Sequence, residues 1–347
     1  MDLQRVCKNH SFATVQAMPR LDRHGFDVAL ILAKLTYAVD PIGNVSLLPS
    51  VIHLDDVPDG QGGIRNPTDV EEEKVGTDVG LVGTALPTKL GATQQLVWLQ
   101  VGGNKKGCMV FGPRMYVQKG SGVVPGPASQ LRPTPLVHAL SFGGSLPGRG
   151  VYHRENPVGR GFTDEPLSLV GQPAHRLEPV ENDDGVGPKI LPAHACFAPI
   201  PATWEPRSSL AGTHDAKWTD ERAPVRPEDF DPMHHSWAVP DLHHRSALAP
   251  DVPIEVGGAT PHGVWRFKLP AYSIEFSYRA DGEIKELESH LDSYLIDSDR
   301  GTVELAFRAA IRLRRKWERL EKIYIYGAGD MPDSVFDSPA RPAGAVG

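Results

Sequence analysis

Between Asn156 and Asp231 the chain sets down four rigid clusters in succession. They are Asn156-Pro157-Val158-Gly159-Arg160-Gly161-Phe162, Trp204-Glu205-Pro206-Arg207, Gly212-Thr213-His214-Asp215-Ala216-Lys217-Trp218 and Pro227-Glu228-Asp229-Phe230-Asp231. Proline fixes φ, glycine reaches conformations other residues avoid, and Asx side chains bond to their own backbone. The spacing therefore predicts a long, ordered, non-repetitive connection in place of helix or strand. Asn156, Gly159, Trp204, Arg207, Asp215, Trp218, Asp229 and Phe230 are its expected scaffold. The 35 Gly and 32 Pro argue for many turns and against a helical bundle.

The regular elements read as strands. Leu96-Val97-Trp98-Leu99 and Met109-Val110-Phe111 flank Gly102 to Gly107, a β-hairpin with a six-residue loop. Tyr272, Ile274, Phe276 and Tyr278 alternate, Asp281-Gly282 supplies a tight turn, and Ile284 and Leu287 continue. From Val303 to Leu313 every second residue is apolar. A helix over the same stretch would expose Leu305 and Leu313, so the strand reading is preferred, with one face of an antiparallel sheet solvated. The fold class expected is mainly β: antiparallel sheets, sandwich or barrel-like, with long Gly/Pro-rich loops and little helix. Residues 1–330 are expected as one domain, or as two β-rich lobes of about 1–145 and 146–330, and 331–347 as a flexible tail.

A net charge of −7 gives no general attraction to nucleic acid or to an anionic membrane. Cys7, Cys108 and Cys196 are far apart and odd in number, which suits a reducing compartment. The first twenty residues lack an apolar signal core, and the best apolar run, Val28 to Leu35, is short and broken by Lys34. A cytoplasmic location is expected.

Candidate chemistry is thin. His234, His235, His243 and His244 could surround zinc, and a metal-dependent hydrolase built on them is the alternative enzymatic reading. Adjacent imidazoles diverge, however, and Pro240 prevents a helical His-Glu-x-x-His arrangement. Tyr324 to Asp330 begins like a dinucleotide turn but lacks the following helix and strand, and no phosphate loop or nucleophile elbow occurs. Glu71-Glu72-Glu73 and Asp55-Asp56 read as solvated charge runs. His214 and Asp215 beside Trp218 have no nucleophile fixed near them. No metal, cofactor or catalytic residue is expected. From Arg308 to Lys322 seven cations stand against two carboxylates. Arg312, Arg314, Arg315, Trp317 and Arg319 are the candidate partner-binding residues, because Trp and Arg are enriched at binding hot spots.

Several of these stretches resemble a bacterial family that was first classed as a domain of unknown function and is now seen as effector adaptors of type VI secretion. Lys74-Val75-Gly76-Thr77-Asp78 with Gly83-Thr84-Ala85 is similar to the family's Lys-Pro-Gly-Thr-Asp signature. Leu140-Ser141-Phe142-Gly143-Gly144 precedes Asn156-Pro157 as an Ala-Phe-Gly-Gly element does there. Pro19 to Asp40 looks like the opening strands and Asp292 to Ile311 like the closing pair. The family's Pro-Pro-Asp-Gln element is here Val239-Pro240-Asp241-Leu242-His243-His244. The resemblance implies a cytoplasmic adaptor without enzymatic activity. It would hold a toxin effector, often PAAR-bearing, and help mount it on the VgrG spike.

Overall fold

In the computed structural model, the described residues are 2–146, 148–180, 192–312 and 319–329. Arg314, Arg315, Trp317 and the 331–347 tail lie outside them. The architecture is mainly β, with only two short α-helices among the described residues, Leu3–Val6 and Ala216–Glu221.

Three sheets carry the structure. The largest runs in the order His243–His244, Thr77–Val82, His290–Asp297, Thr302–Arg312, Asp27–Val39, Thr14–Leu21, with Val45–Leu48 also pairing Asp27–Val39. A second contains Leu177–Pro179, Asn104–Phe111, Gln94–Val101, Pro253–Gly257 and Val264–Lys268. The third contains Cys7–His10, Leu320–Ala328, Ser273–Ala280 and Glu283–Leu287. Most pairings are antiparallel. Thr77–Val82 with His290–Asp297, and Cys7–His10 with Leu320–Ala328, run parallel. The large sheet draws strands from both sides of residue 145, and one continuous hydrophobic core joins residues of all three sheets, from Leu3 to Ile325.

The apolar run at 28–35 is explained by burial on both faces. Ala29, Ile31, Ala33, Leu35 and Tyr37 enter the main core, while Leu30 and Leu32 pack on the opposite face with Val70. Alternation would be expected only if one face met water.

Two sequence expectations need correction. The hairpin at 94–111 has a two-residue connection, because Val101 pairs with Asn104 and the strand takes in Lys105 and Lys106. Lys106 is buried and its Nζ donates to Asp241 at 2.9 Å, so a charge that looked like loop composition is an internal fastener. The polar face of Thr302–Arg312 is solvated only in part, with Ala310 and Arg312 exposed. Arg308 is buried, with Nε donating to Asp292 Oδ2 at 2.6 Å and a terminal nitrogen to the Asp69 carbonyl at 2.9 Å. Beside it, Lys34 Nζ lies 2.9 Å from both Asp69 Oδ2 and Glu304 Oε2. The segment carrying Asp69 and Val70 covers this face, and the ions survive burial because each has a partner.

Candidate functional site

The stretch 192–252 contains no strand except His243–His244, yet it is ordered at the end of the large sheet. Two polar knots, both rooted in residues 71–78, fasten it there.

The first knot begins at Gly76. Its φ of +66° lies in the left-handed region, and a Cβ there would stand 1.9 Å from the His244 carbonyl oxygen. Only glycine lets the two chains pass this closely. Thr77 and Asp78 then pair with His244 and His243. Thr77 Oγ1 donates to the Leu291 carbonyl at 2.6 Å and accepts from the Leu248 amide at 3.0 Å. Asp78 is fully buried and accepts from the Trp237 amide at 2.9 Å, while His243 Nδ1 lies 3.0 Å from its other oxygen. The Lys74 ammonium completes the pair and stands 5.1 Å over the Trp237 ring. Burial alone would raise the Asp78 pKa. The Lys74 charge and the hydrogen bond from His243 outweigh it and hold the carboxyl down to about 2.

The second knot encloses His235, whose side chain is wholly buried. Nδ1 stands 2.5 Å from Glu71 Oε2 and Nε2 stands 3.4 Å from Glu72 Oε1. Arg226 donates to both oxygens of Glu72, at 2.8 and 3.3 Å. The Phe230 ring packs edge-on to His235 at 5.2 Å, and the Arg226 guanidinium lies over it at 4.9 Å. Desolvation pulls the His235 pKa down, but hydrogen bonds to the two carboxylates dominate and raise it. Burial likewise pushes Glu71 up and is overcome by the His235 contact, which brings it to about 2. Both ring nitrogens face carboxylates, so the geometry fits an imidazolium that donates to Glu71 through Nδ1 and meets Glu72 through Nε2 as a charge contact.

This corrects the reading of Glu71-Glu72-Glu73 as a solvated run: Glu72 is buried and Glu71 nearly so. The grouping of the four histidines on which the alternative enzymatic reading would rest is also not what forms. His234 Nδ1 is 2.8 Å from the Arg207 carbonyl, His235 faces Glu71 and Glu72, and His243 faces Asp78. Glu71, Glu72 and His235 do offer ligand atoms within 4.8 Å of one another. A cation entering there would have to displace a proton from His235 and compete with Arg226, so the set suits a closed ion-pair cluster better than a metal.

The candidate scaffold residues are distributed along the central loop. Asn156 is fully buried, with Nδ2 donating to the His138 and Phe142 carbonyls at 2.8 and 2.9 Å. A Cβ on Gly159 would meet that nitrogen at 2.5 Å. Trp204 and Phe230 are buried, and Arg207 donates to the His234 and Ile200 carbonyls at 2.7 and 2.6 Å. Asp215 caps the helix Ala216–Glu221 through the Trp218 amide at 2.8 Å, and Asp229 accepts from Thr213 N and Oγ1. Trp218 is only half-buried. Arg312, itself exposed, pairs with the buried Asp22, and Arg319 forms an exposed ion pair with Asp281. The signal missed in the sequence was the adjacency of Glu71-Glu72 to the Gly76-Thr77-Asp78 turn, which brings both acidic groups to one loop root.

A mainly β protein whose long central loop is pinned by two internal ion clusters is thus the class that the fold and site define. The chain belongs to the bacterial family described as "Uncharacterized protein conserved in bacteria (DUF2169)", whose model matches residues 24–308 and so spans both knots. No curated protein and no solved structure matches it significantly. No helix among the described residues is long and apolar enough to cross a membrane.

Proposed function

We propose that this protein is a non-enzymatic adaptor that binds a toxin effector of type VI secretion and helps load it onto the VgrG/PAAR spike. One observation carries the reading beyond the sequence resemblance. The ionisable groups best placed for chemistry — Glu71, Glu72, Lys74, Asp78, His235 and His243 — are spent on one another, holding a long loop as ordered surface. A chain that orders so much loop by internal fasteners presents a recognition surface, and loops on a rigid scaffold are where such surfaces are commonly built. Exposed apolar side chains suit the same role. Val117 and Val124 face each other across the hairpin Tyr116–Lys119/Gly122–Pro125, and Met115 precedes it; each is more than a third exposed.

The test is co-expression of the tagged chain with a toxin effector and the VgrG protein of the same bacterium. Retention of the toxin through an interface of about 1,200–2,000 Å² is expected. Failure to retain either protein sinks the adaptor reading. The second reading, a metal-dependent hydrolase, is favoured only by the Glu71–Glu72–His235 grouping. Stoichiometric zinc lost on His235→Ala would establish it.

A further inference from the structure

Beside the second knot, the loop 212–229 encloses an open cavity of about 400 Å³. Trp218 forms its aromatic wall, and Asp215, Glu221, Glu228 and Asp229 stand around it with Lys217 and Arg222. The tryptophan is held in place on three sides, its ring also packing edge-to-face with His214 at 4.5 Å. Its amide is capped by Asp215, and its Nε1 donates to the Val225 carbonyl at 2.8 Å. One of the two cations is turned into the fold: Arg222 donates to the Arg226 and Arg23 carbonyls, the latter at 3.1 Å. Its closest approach to a cavity carboxylate is 3.9 Å, at Glu228. The Glu221 carboxylate has no hydrogen bond or ion pair among the described residues.

We infer that this cavity takes an arginine or lysine side chain of the partner protein, stacked on Trp218 and paired with Glu221 and Glu228. An aromatic face attracts a cation through its quadrupole, and carboxylates at the rim supply charge complementarity and a steered approach. A cavity of this size is ample for one long side chain. The structure thereby assigns the partner's chemistry, a basic exposed segment, and in this respect the inference rests on the adaptor reading.

The test titrates the full-length protein with acetyl-Gly-Arg-Gly-Arg-Gly-amide, with its citrulline counterpart and with chitotetraose. Heat of binding and the Trp218 indole N–H resonance, assigned with Trp218→Phe, are followed. The arginine peptide should bind saturably and move that resonance. The neutral citrulline peptide should bind about tenfold or more weakly, as should the arginine peptide to the Glu221→Gln/Glu228→Gln variant. Both substituted positions are exposed, so an unchanged thermal midpoint is expected. Equal affinity for the citrulline peptide, a silent Trp218 resonance, or a shift produced by chitotetraose alone would overturn the assignment. Effector capture separates the two readings. Undiminished capture by the double variant removes the pocket and leaves the adaptor, whereas no capture by wild type removes the adaptor and leaves the peptide titration to decide the pocket.

Discussion

The Nδ1 of His235 stands 2.5 Å from Oε2 of Glu71, although 164 residues separate them along the chain. This contact, with the Nε2 approach to Glu72, ties the central loop to the root of the large sheet through a charged ring that has no exposure of its own.

Stability should therefore depend on pH through this group. The folded pKa of His235 is raised above its ordinary value of 6.5. Its contribution is then full below about pH 6.5 and is lost as pH rises through the folded value. Glu71 runs the other way: its contribution is present above its ordinary 4.5 and disappears as pH falls toward about 2. Urea denaturation of wild type and His235→Gln across pH 5 to 9 checks this. The gap between them should be widest at the acid end and narrow with rising pH; a constant gap would refute the charged-clamp description.

Lys74 and Asp78 should behave as a buried pair. Asp78→Asn leaves the ammonium without its charge partner and should cost roughly 3–5 kcal/mol. Lys74→Met together with Asp78→Asn should cost clearly less than the sum of the single changes. Additive losses in a double-mutant cycle would show that the two do not interact.

Gly76→Ala should destabilise by about 2 kcal/mol or more, because the new methyl meets the His244 carbonyl at a φ of +66°. Gly60, also at positive φ, has open space around its Cβ position and should lose less than half of that on the same change. Chemical denaturation of the two variants side by side decides it.

Phe230→Ala should cost roughly 3–5 kcal/mol, since the ring is buried between His235 and Arg226. Trp218→Ala should cost about half as much, because part of its ring already faces water. Equal losses in thermal or urea melts would place Trp218 in the core and count against its role as a cavity wall.

Charge reversal of Arg319 should change stability by under about 1 kcal/mol, as both it and Asp281 are exposed, whereas reversal of Arg312 sets a carboxylate against the buried Asp22 and should cost more. If these residues edge a partner contact, reversal should instead slow effector association and flatten its salt dependence. Association rates at low and high salt measure this.

Local information sufficed wherever the physics is local. The hairpin at 273–287 was legible because alternation marks a half-buried strand and Asp281-Gly282 suits a turn with both central residues at positive φ; those values are 52° and 81°. The Asp215 contact is local in the same way, its carboxylate accepting from the Trp218 amide three residues on, whereas Asn156 reaches the His138 and Phe142 carbonyls 18 and 14 residues away. The charges were a different matter. Glu71 and Glu72 look like any polar run until the fold brings His235 and Arg226 against them, and Arg308 looks like a solvated strand residue until Asp292 and the Asp69 carbonyl close over it. A carboxylate's sequence neighbours do not reveal whether it meets water or a cation. Its cost or benefit depends on desolvation and on a partner brought in from far along the chain, and only tertiary packing supplies both.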